Sequence, residues 1–188
     1  MGQRMFIALY PPQVVVDELT EFFDARPQMP WISPDQWHIT LAFLAAVPEA
    51  RTDELIDRLS LNLAHKVAPT IQLCGGGTFP SPDRAKVLWL RPVALSGSLE
   101  ALAGTARGTA NACGATPDGR TFTPHLTVAR LRRPIAATRW LRILDSFTSS
   151  PWCAREAKLI ASYLGEGPSK RPRHEEVARF QFASPTGD

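Results

Sequence analysis

The chain has 188 residues, 44% of them hydrophobic and 21% charged, and this balance excludes a disordered protein. No apolar run approaches the roughly 18 residues that a membrane span needs, and the N-terminus lacks the features of a signal peptide, so we expect a cytoplasmic protein with no membrane partner. The formal net charge of +3 permits a polyanionic partner without requiring one, and three scattered cysteines argue against a disulfide framework.

Apolar periodicity and turn signals predict strands alternating with helices along the whole chain. In the first half we expect a strand at 6–10, a helix at 14–25, a strand at 36–44, a helix at 51–65 and a strand at 70–74. A turn or bulge at Gly75-Gly76-Gly77 follows. In the second half we expect a strand at 87–90, a helix at 96–113, a strand at 122–130, a helix at 135–147, and strands at 158–164 and 177–182.

Two of these strands carry the same short motif. The first reads His38-Ile39-Thr40-Leu41 and the second reads His125-Leu126-Thr127-Val128. Residues two apart on a strand share a face, so each motif projects an imidazole and a hydroxyl together. In the first strand, strict alternation assigns Trp37 and Phe43 to the core, on the face opposite the histidine. Two such strands facing each other would form one pocket with two histidines and two threonines.

Paired histidines suit displacement at phosphorus. One neutral imidazole can take a proton from water while an imidazolium on the other side protonates the leaving oxygen. The hydroxyls of Thr40 and Thr127 can donate to the non-bridging oxygens. A strand histidine seen alone is more often structural, and it is the repetition of the motif that favours a site. No metal-ligand spacing occurs in the sequence, so we expect neither a metal nor a cofactor.

The motifs and their flanks resemble the two-histidine phosphoesterase superfamily, and within it the RNA 2',3'-cyclic phosphodiesterases, historically called 2'-5' RNA ligases. The resemblance runs from Phe6 to about Phe182 and includes 6–9, 38–44, 77–80 with 87–90, and 122–130. It implies an α+β fold of two pseudo-symmetric lobes in a single domain, residues 1–188. Each lobe would be an antiparallel sheet backed by helices, and the motif strands would face each other across a central groove.

By the same resemblance, His125 is the base that activates water and His38 is the acid that protonates the leaving oxygen. Thr40, Thr127 and Arg130 would bind the substrate, an RNA or oligonucleotide that ends in a 2',3'-cyclic phosphate. The product would be a 2'-phosphate. Run backwards, the same site would join RNA ends without ATP. We expect a monomer.

The sequence also departs from the family pattern. Ala45 replaces a usual glycine, Lys86 replaces a favoured arginine with Arg84 two residues earlier, and His174 aligns where tyrosine is common. Lysine acts as a point charge and cannot make the bidentate contact that arginine makes with phosphate.

Two other functions stay open. One is phosphodiesterase activity on another cyclic phosphate or on a 2'-5' oligonucleotide, and the other is a non-catalytic module that binds RNA ends. Basic residues after the second motif are most simply a solvated face, apart from Arg130. Phe79 and Trp89 fit core packing better than base stacking.

Overall fold

The computed structural model describes residues 2–167 and 171–184. The strands are β1 (Gly2–Leu9), β2 (Ile39–Pro48), β3 (Thr70–Phe79), β4 (Ala85–Ser96), β5 (Leu126–Ile135), β6 (Trp152–Cys153), β7 (Glu156–Tyr163) and β8 (Arg173–Gln181). The helices are α1 (Gln13–Asp24), α2 (Thr52–Ala64), α3 (Leu99–Ala112) and α4 (Thr138–Asp145). Among the described residues, no helix is both long and apolar enough to cross a membrane.

The strands form one sheet of eight in the order β6-β3-β4-β5-β2-β1-β7-β8, and every pairing is antiparallel. It divides into two halves, each made of four strands and covered by helices. Lobe A is β2, β1, β7 and β8, against which α2 and α3 pack. Lobe B is β5, β4, β3 and β6, and α4 packs on β3, with Phe22 of α1 against Phe147 just after α4. This arrangement confirms the predicted fold class.

The helices of lobe A show why the sequence folds as it does. Leu55, Leu59 and Leu63 recur every fourth residue of α2 and are fully buried, as one apolar stripe on a helix requires. In α3, the side chain of Ser98 accepts a hydrogen bond from the backbone N–H of Ala101 at 3.0 Å and caps the helix. Gly114, just beyond the end of α3, adopts a φ of 76°, a conformation that favours glycine.

The structure corrects several predicted boundaries. β3 continues through the three glycines to Phe79, and a register shift between Leu73 and Gly76 places a bulge at Cys74 and Gly75 within the strand. β5 extends to Ile135, and α4 therefore begins at Thr138. No strand was predicted at β6, which has only two residues.

One glycine of β3 is required by an aromatic neighbour. Gly77 pairs with Trp89 across β3 and β4, and a Cβ at Gly77 would lie 2.0 Å from the Trp89 ring. The indole therefore lies flat against the backbone of β3. Trp89 is buried, but on the face opposite Leu88 and Leu90 of the main core, and its ring centroid is 6.2 Å from that of His125.

This packing makes a stability prediction. We expect Gly77→Ala to lower the free energy of unfolding by about 1–3 kcal/mol, because the added methyl displaces the indole. Gly104→Ala is the matched control, since nothing lies within 4 Å of that position in α3. The control should raise the free energy of unfolding by about 0.5–1 kcal/mol. Urea denaturation measures both, and wild-type stability in Gly77→Ala would contradict the close approach.

Candidate active site

A single residue pair brings the two motifs together. β2 and β5 pair antiparallel at Ile39 and Leu126, the central residues of the two motifs. Extending that register by one residue in each direction sets His38 beside Thr127 and Thr40 beside His125. Because neighbours of an opposed pair point to the same side, all four side chains lie on one face of the sheet. The motif strands are thus adjacent and splay apart from this pair.

The same bulge follows the motif in both lobes. In lobe A, Thr40 pairs with Ala8 while Ala42 pairs with Ile7, which leaves Leu41 as the extra residue. A bulge of one residue reverses which face the following side chains occupy. Phe43, five residues after the histidine and paired with Phe6, is therefore carried to the histidine face.

In lobe B, Thr127 pairs with Trp89 while Ala129 pairs with Leu88, which leaves Val128 as the extra residue. Arg130 is five residues after the second histidine, and the bulge brings it to the histidine face as well. Phe43 and Arg130 thus occupy equivalent positions in the two lobes.

These bulges correct the sequence prediction for the end of β2. Strict alternation assigned Phe43 to the core and put Ala42 and Leu44 on the histidine face. Instead, Ala42 and Leu44 are buried in the main core, and Phe43 packs in a second cluster with Phe6. Trp37 precedes the bulge and lies in the main core as predicted.

The local contacts of His125 determine its tautomer. Its Nδ1 lies 2.7 Å from the carbonyl oxygen of Thr123, and because a carbonyl only accepts, Nδ1 carries the proton. In the neutral ring Nε2 then holds the lone pair. Phe79 meets the imidazole edge to face at 5.0 Å. Burial lowers the pKa of His125, the Thr123 carbonyl opposes this shift, and the charge of Arg130 adds to it.

His38 lies in an aromatic cluster. It stacks on Phe6 at a centroid distance of 4.7 Å, and the rings of Tyr10 and His174 are each 5.8 Å away. Burial lowers the pKa of His38 to about 3, with a further lowering from His174, while the main chain of Gln36 opposes the shift. His38 is therefore neutral near pH 7 before any anion binds.

Two arginines on the two lobes make the groove cationic. Arg130 is exposed, and partial desolvation together with the charge of Arg4 lowers its pKa. Arg4 lies 4.4 Å over the ring of Phe43, and its buried Nε has no hydrogen-bond partner within 2–167 and 171–184. Neither arginine forms an ion pair with a described carboxylate. Arg4 was not predicted as a site residue, although a lone arginine inside the apolar strand β1 was an available signal.

Of the residues that depart from the family pattern, His174 lies in the groove, whereas Lys86 and Arg84 lie outside it. His174 on β8 joins the groove, half-buried beside His38 and 5.0 Å from Phe6. Lys86 alternates with Val87 and lies on the opposite face of β4 from Trp89. Arg84 is exposed in a short 3-10 turn before β4.

The groove can therefore hold an anion between two uncharged imidazoles. Arginines and hydroxyls can bind its oxygens, and the imidazoles can take and give protons on either side of it. In the described part of the chain, no group of three or more His, Cys, Asp or Glu side chains is placed to bind a metal ion.

Comparison with known proteins places this geometry in a family. A family model described as the 2'-5' RNA ligase superfamily matches residues 10–165. A protein of Aeropyrum pernix named RNA 2',3'-cyclic phosphodiesterase is 31% identical over 104 residues, which cover 55% of this chain and 58% of that protein. A Geobacillus stearothermophilus protein of the same name is 30% identical over 162 residues, which cover 84% of this chain and 50% of that protein. The chain thus spans between half and three fifths of the length of these relatives.

The fold has a close counterpart among solved structures. The crystal structure of E. coli LigT complexed with 3'-AMP superposes with a TM-score of 0.75 at 22% identity, over 97% of this chain and 99% of that one. At this identity the likeness concerns the fold.

The buried state of His38 makes a prediction about stability and pH. Its folded pKa of about 3 is below the ordinary value of 6.5, so protons bind the unfolded chain preferentially. The folded state therefore has its full stability above about pH 6.5. As the pH falls from 6.5 towards 3, the free energy of unfolding decreases by up to about 1.4 kcal/mol per pH unit. We expect His38→Gln to lose stability less steeply than wild type between pH 7 and 4.5 in urea denaturation. His65→Gln, at an exposed position after α2, is the control, and its stability should vary with pH as that of wild type does. If the stability of His38→Gln also varied with pH as wild type does, the lowered pKa of His38 would be refuted.

Proposed function

Since this chain belongs to the 2'-5' RNA ligase superfamily, we propose that it is an RNA 2',3'-cyclic phosphodiesterase, which opens the cyclic phosphate at the 3' end of RNA to a 2'-phosphate. The names of the similar Aeropyrum and Geobacillus proteins support this activity. The observation that carries the proposal is the pairing of Ile39 with Leu126, which gathers two imidazoles and two hydroxyls on one face.

The reaction is a single displacement at phosphorus. His125 takes a proton from water at Nε2, the position that the bond from Nδ1 to Thr123 leaves with its lone pair. The water oxygen bonds to phosphorus as the bond to the ribose O3' breaks. His38 gives a proton to that O3', so one water is consumed and a 2'-phosphate with a free 3'-hydroxyl results. Because the two imidazoles supply both acid and base, the reaction needs no metal.

The acid must acquire its proton before it can act. His38 is uncharged in the free protein because of burial and nearby positive charge. A bound phosphate anion reverses that balance, since a negative charge within a few ångströms favours the imidazolium. The cyclic phosphate therefore enters with Arg130 as its counter-charge and raises the pKa of His38 on binding.

The hydroxyls and guanidiniums complete the site. Extension of the Ile39–Leu126 register sets Thr127 near His38 and Thr40 near His125, so each hydroxyl can donate to a non-bridging oxygen between the imidazoles. Arg130 can bind the same oxygens through its planar guanidinium, and Arg4 adds a second positive charge. These groups neutralise the charge that accumulates on the phosphoryl oxygens. Run in reverse, the same groups would join a cyclic phosphate to a 5'-hydroxyl without ATP.

We expect the protein to convert an oligoribonucleotide ending in 2',3'-cyclic phosphate to the 2'-phosphate in EDTA, as followed by ³¹P NMR. Removing either proton-transfer group in His38→Ala or His125→Ala should lower kcat by about 10²–10⁴-fold. His65→Ala, at an exposed position after α2, is the control and should keep wild-type activity. A strict requirement for Mg²⁺ or Zn²⁺, or tight binding with the ring left closed, would overturn the proposal.

A further inference from the structure

The two lobes differ sharply in how their positive charges are balanced. β7 and β8 of lobe A carry three cations and three carboxylates, and each of those cations forms an ion pair. β4 and β5 of lobe B carry five cations and no carboxylate. Among the described residues, none of those five forms an ion pair.

Two of the unbalanced cations lie on the groove side of lobe B, and two more follow them along β5. Arg91 shares a face with Trp89 by alternation along β4, and the bulge places Arg130 there too. Arg132 and Arg133 follow in the irregular part of β5, between the pairs Val87–Arg130 and Ala85–Ile135. Lys86 is on the other face. Arg91, Arg130, Arg132 and the neighbouring Arg133 are all exposed, and we call these four residues the β4–β5 strip.

The strip is continuous with the candidate active site. It begins next to His125, passes Arg130, whose charge lowers the pKa of both His38 and His125, and continues along β5 away from the groove. Arg133 is six positions after Thr127 on β5, a path of at most roughly 20 Å, which the irregularities at Val128 and after Arg130 shorten. A line of exposed, unpaired cations of this length matches a run of phosphates better than a single phosphate group.

We propose that the β4–β5 strip binds the RNA strand upstream of the cyclic phosphate, so that the substrate is a polynucleotide whose chain leaves the groove over lobe B. This rests on the proposed function. A 2',3'-cyclic phosphate is the 3' end of its strand, so the rest of the chain extends in one direction only. Over β7 and β8 of lobe A, the strand would meet cations already neutralised by Glu156, Glu175 and Glu176. The β4–β5 strip of lobe B carries cations that form no ion pair among the described residues.

Binding of two product-like ligands tests the strip without requiring turnover. The ligands are octauridylate with a 5'-fluorescein and a 2'-phosphate end, measured by fluorescence anisotropy, and uridine 2'-phosphate, measured by competition. The test variant is Arg132→Gln with Arg133→Gln. The control, Arg51→Gln with Arg58→Gln, makes the same change in net charge at exposed positions on lobe A.

We expect wild type to bind the octamer at least about 10-fold more tightly than uridine 2'-phosphate, and the test variant to lose most of that advantage. The slope of log Kd against log salt should fall by about 1.4, at about 0.7 for each lost single-strand phosphate contact. Arg132→Lys with Arg133→Lys should retain tight binding because charge is kept. The control should behave as wild type.

Two results would overturn the proposal that the β4–β5 strip binds RNA. One is an octamer that binds no better than uridine 2'-phosphate, and the other is an equal loss of octamer affinity in the lobe A control. A failure of the proposed function can be distinguished from a failure of the RNA-binding proposal. If the cyclic phosphate is not opened but the test variant alone weakens octamer binding, the strip stands as an RNA-binding surface and the enzymatic activity does not.

Discussion

The pairing of Ile39 with Leu126 is the contact on which the rest of the site depends, because it is the residue pair through which β2 and β5, and so the two lobes, join into one sheet. Both residues are fully buried in the common core. Their burial fixes the register, and a slip of either strand by one residue would turn its histidine to the opposite face from the other histidine. Core packing thus sets the distance between two imidazoles that are 87 residues apart in sequence.

The bulge that follows each motif occurs at the equivalent position in both lobes, but it places a different kind of side chain on the histidine face of each. It turns the fifth residue after the histidine to the histidine face, and this residue is Phe43 in lobe A and Arg130 in lobe B. Phe43 supports Arg4 and packs with Phe6, the ring on which His38 stacks. Arg130 instead places a charge in the groove. The aromatic residues of lobe A bury the imidazole of His38 deeply, and the arginines of lobe B continue along β5 away from the groove.

Much of this arrangement follows from the sequence alone. The helical leucines of α2 and the two His-x-Thr motifs were predictable because their signals are periodic or repeated. The α+β fold of two lobes was implied by the resemblance to the two-histidine phosphoesterases. Phe43 was misassigned because a bulge breaks strand alternation, and a bulge depends on how the neighbouring strand pairs. Arg4 was missed because its role comes from a contact with Phe43 across strands. The roles assigned to the two histidines stay predictions.

The central claim is that two imidazoles act from opposite sides of one phosphorus in a single displacement. The stereochemistry at phosphorus tests it most directly. A 2',3'-cyclic phosphorothioate of one configuration, hydrolysed by the protein in ¹⁸O-labelled water, should give a 2'-phosphorothioate with inverted configuration. Retention would show two successive displacements through a phosphorylated side chain, and would contradict the assignment of either histidine as a base acting on water.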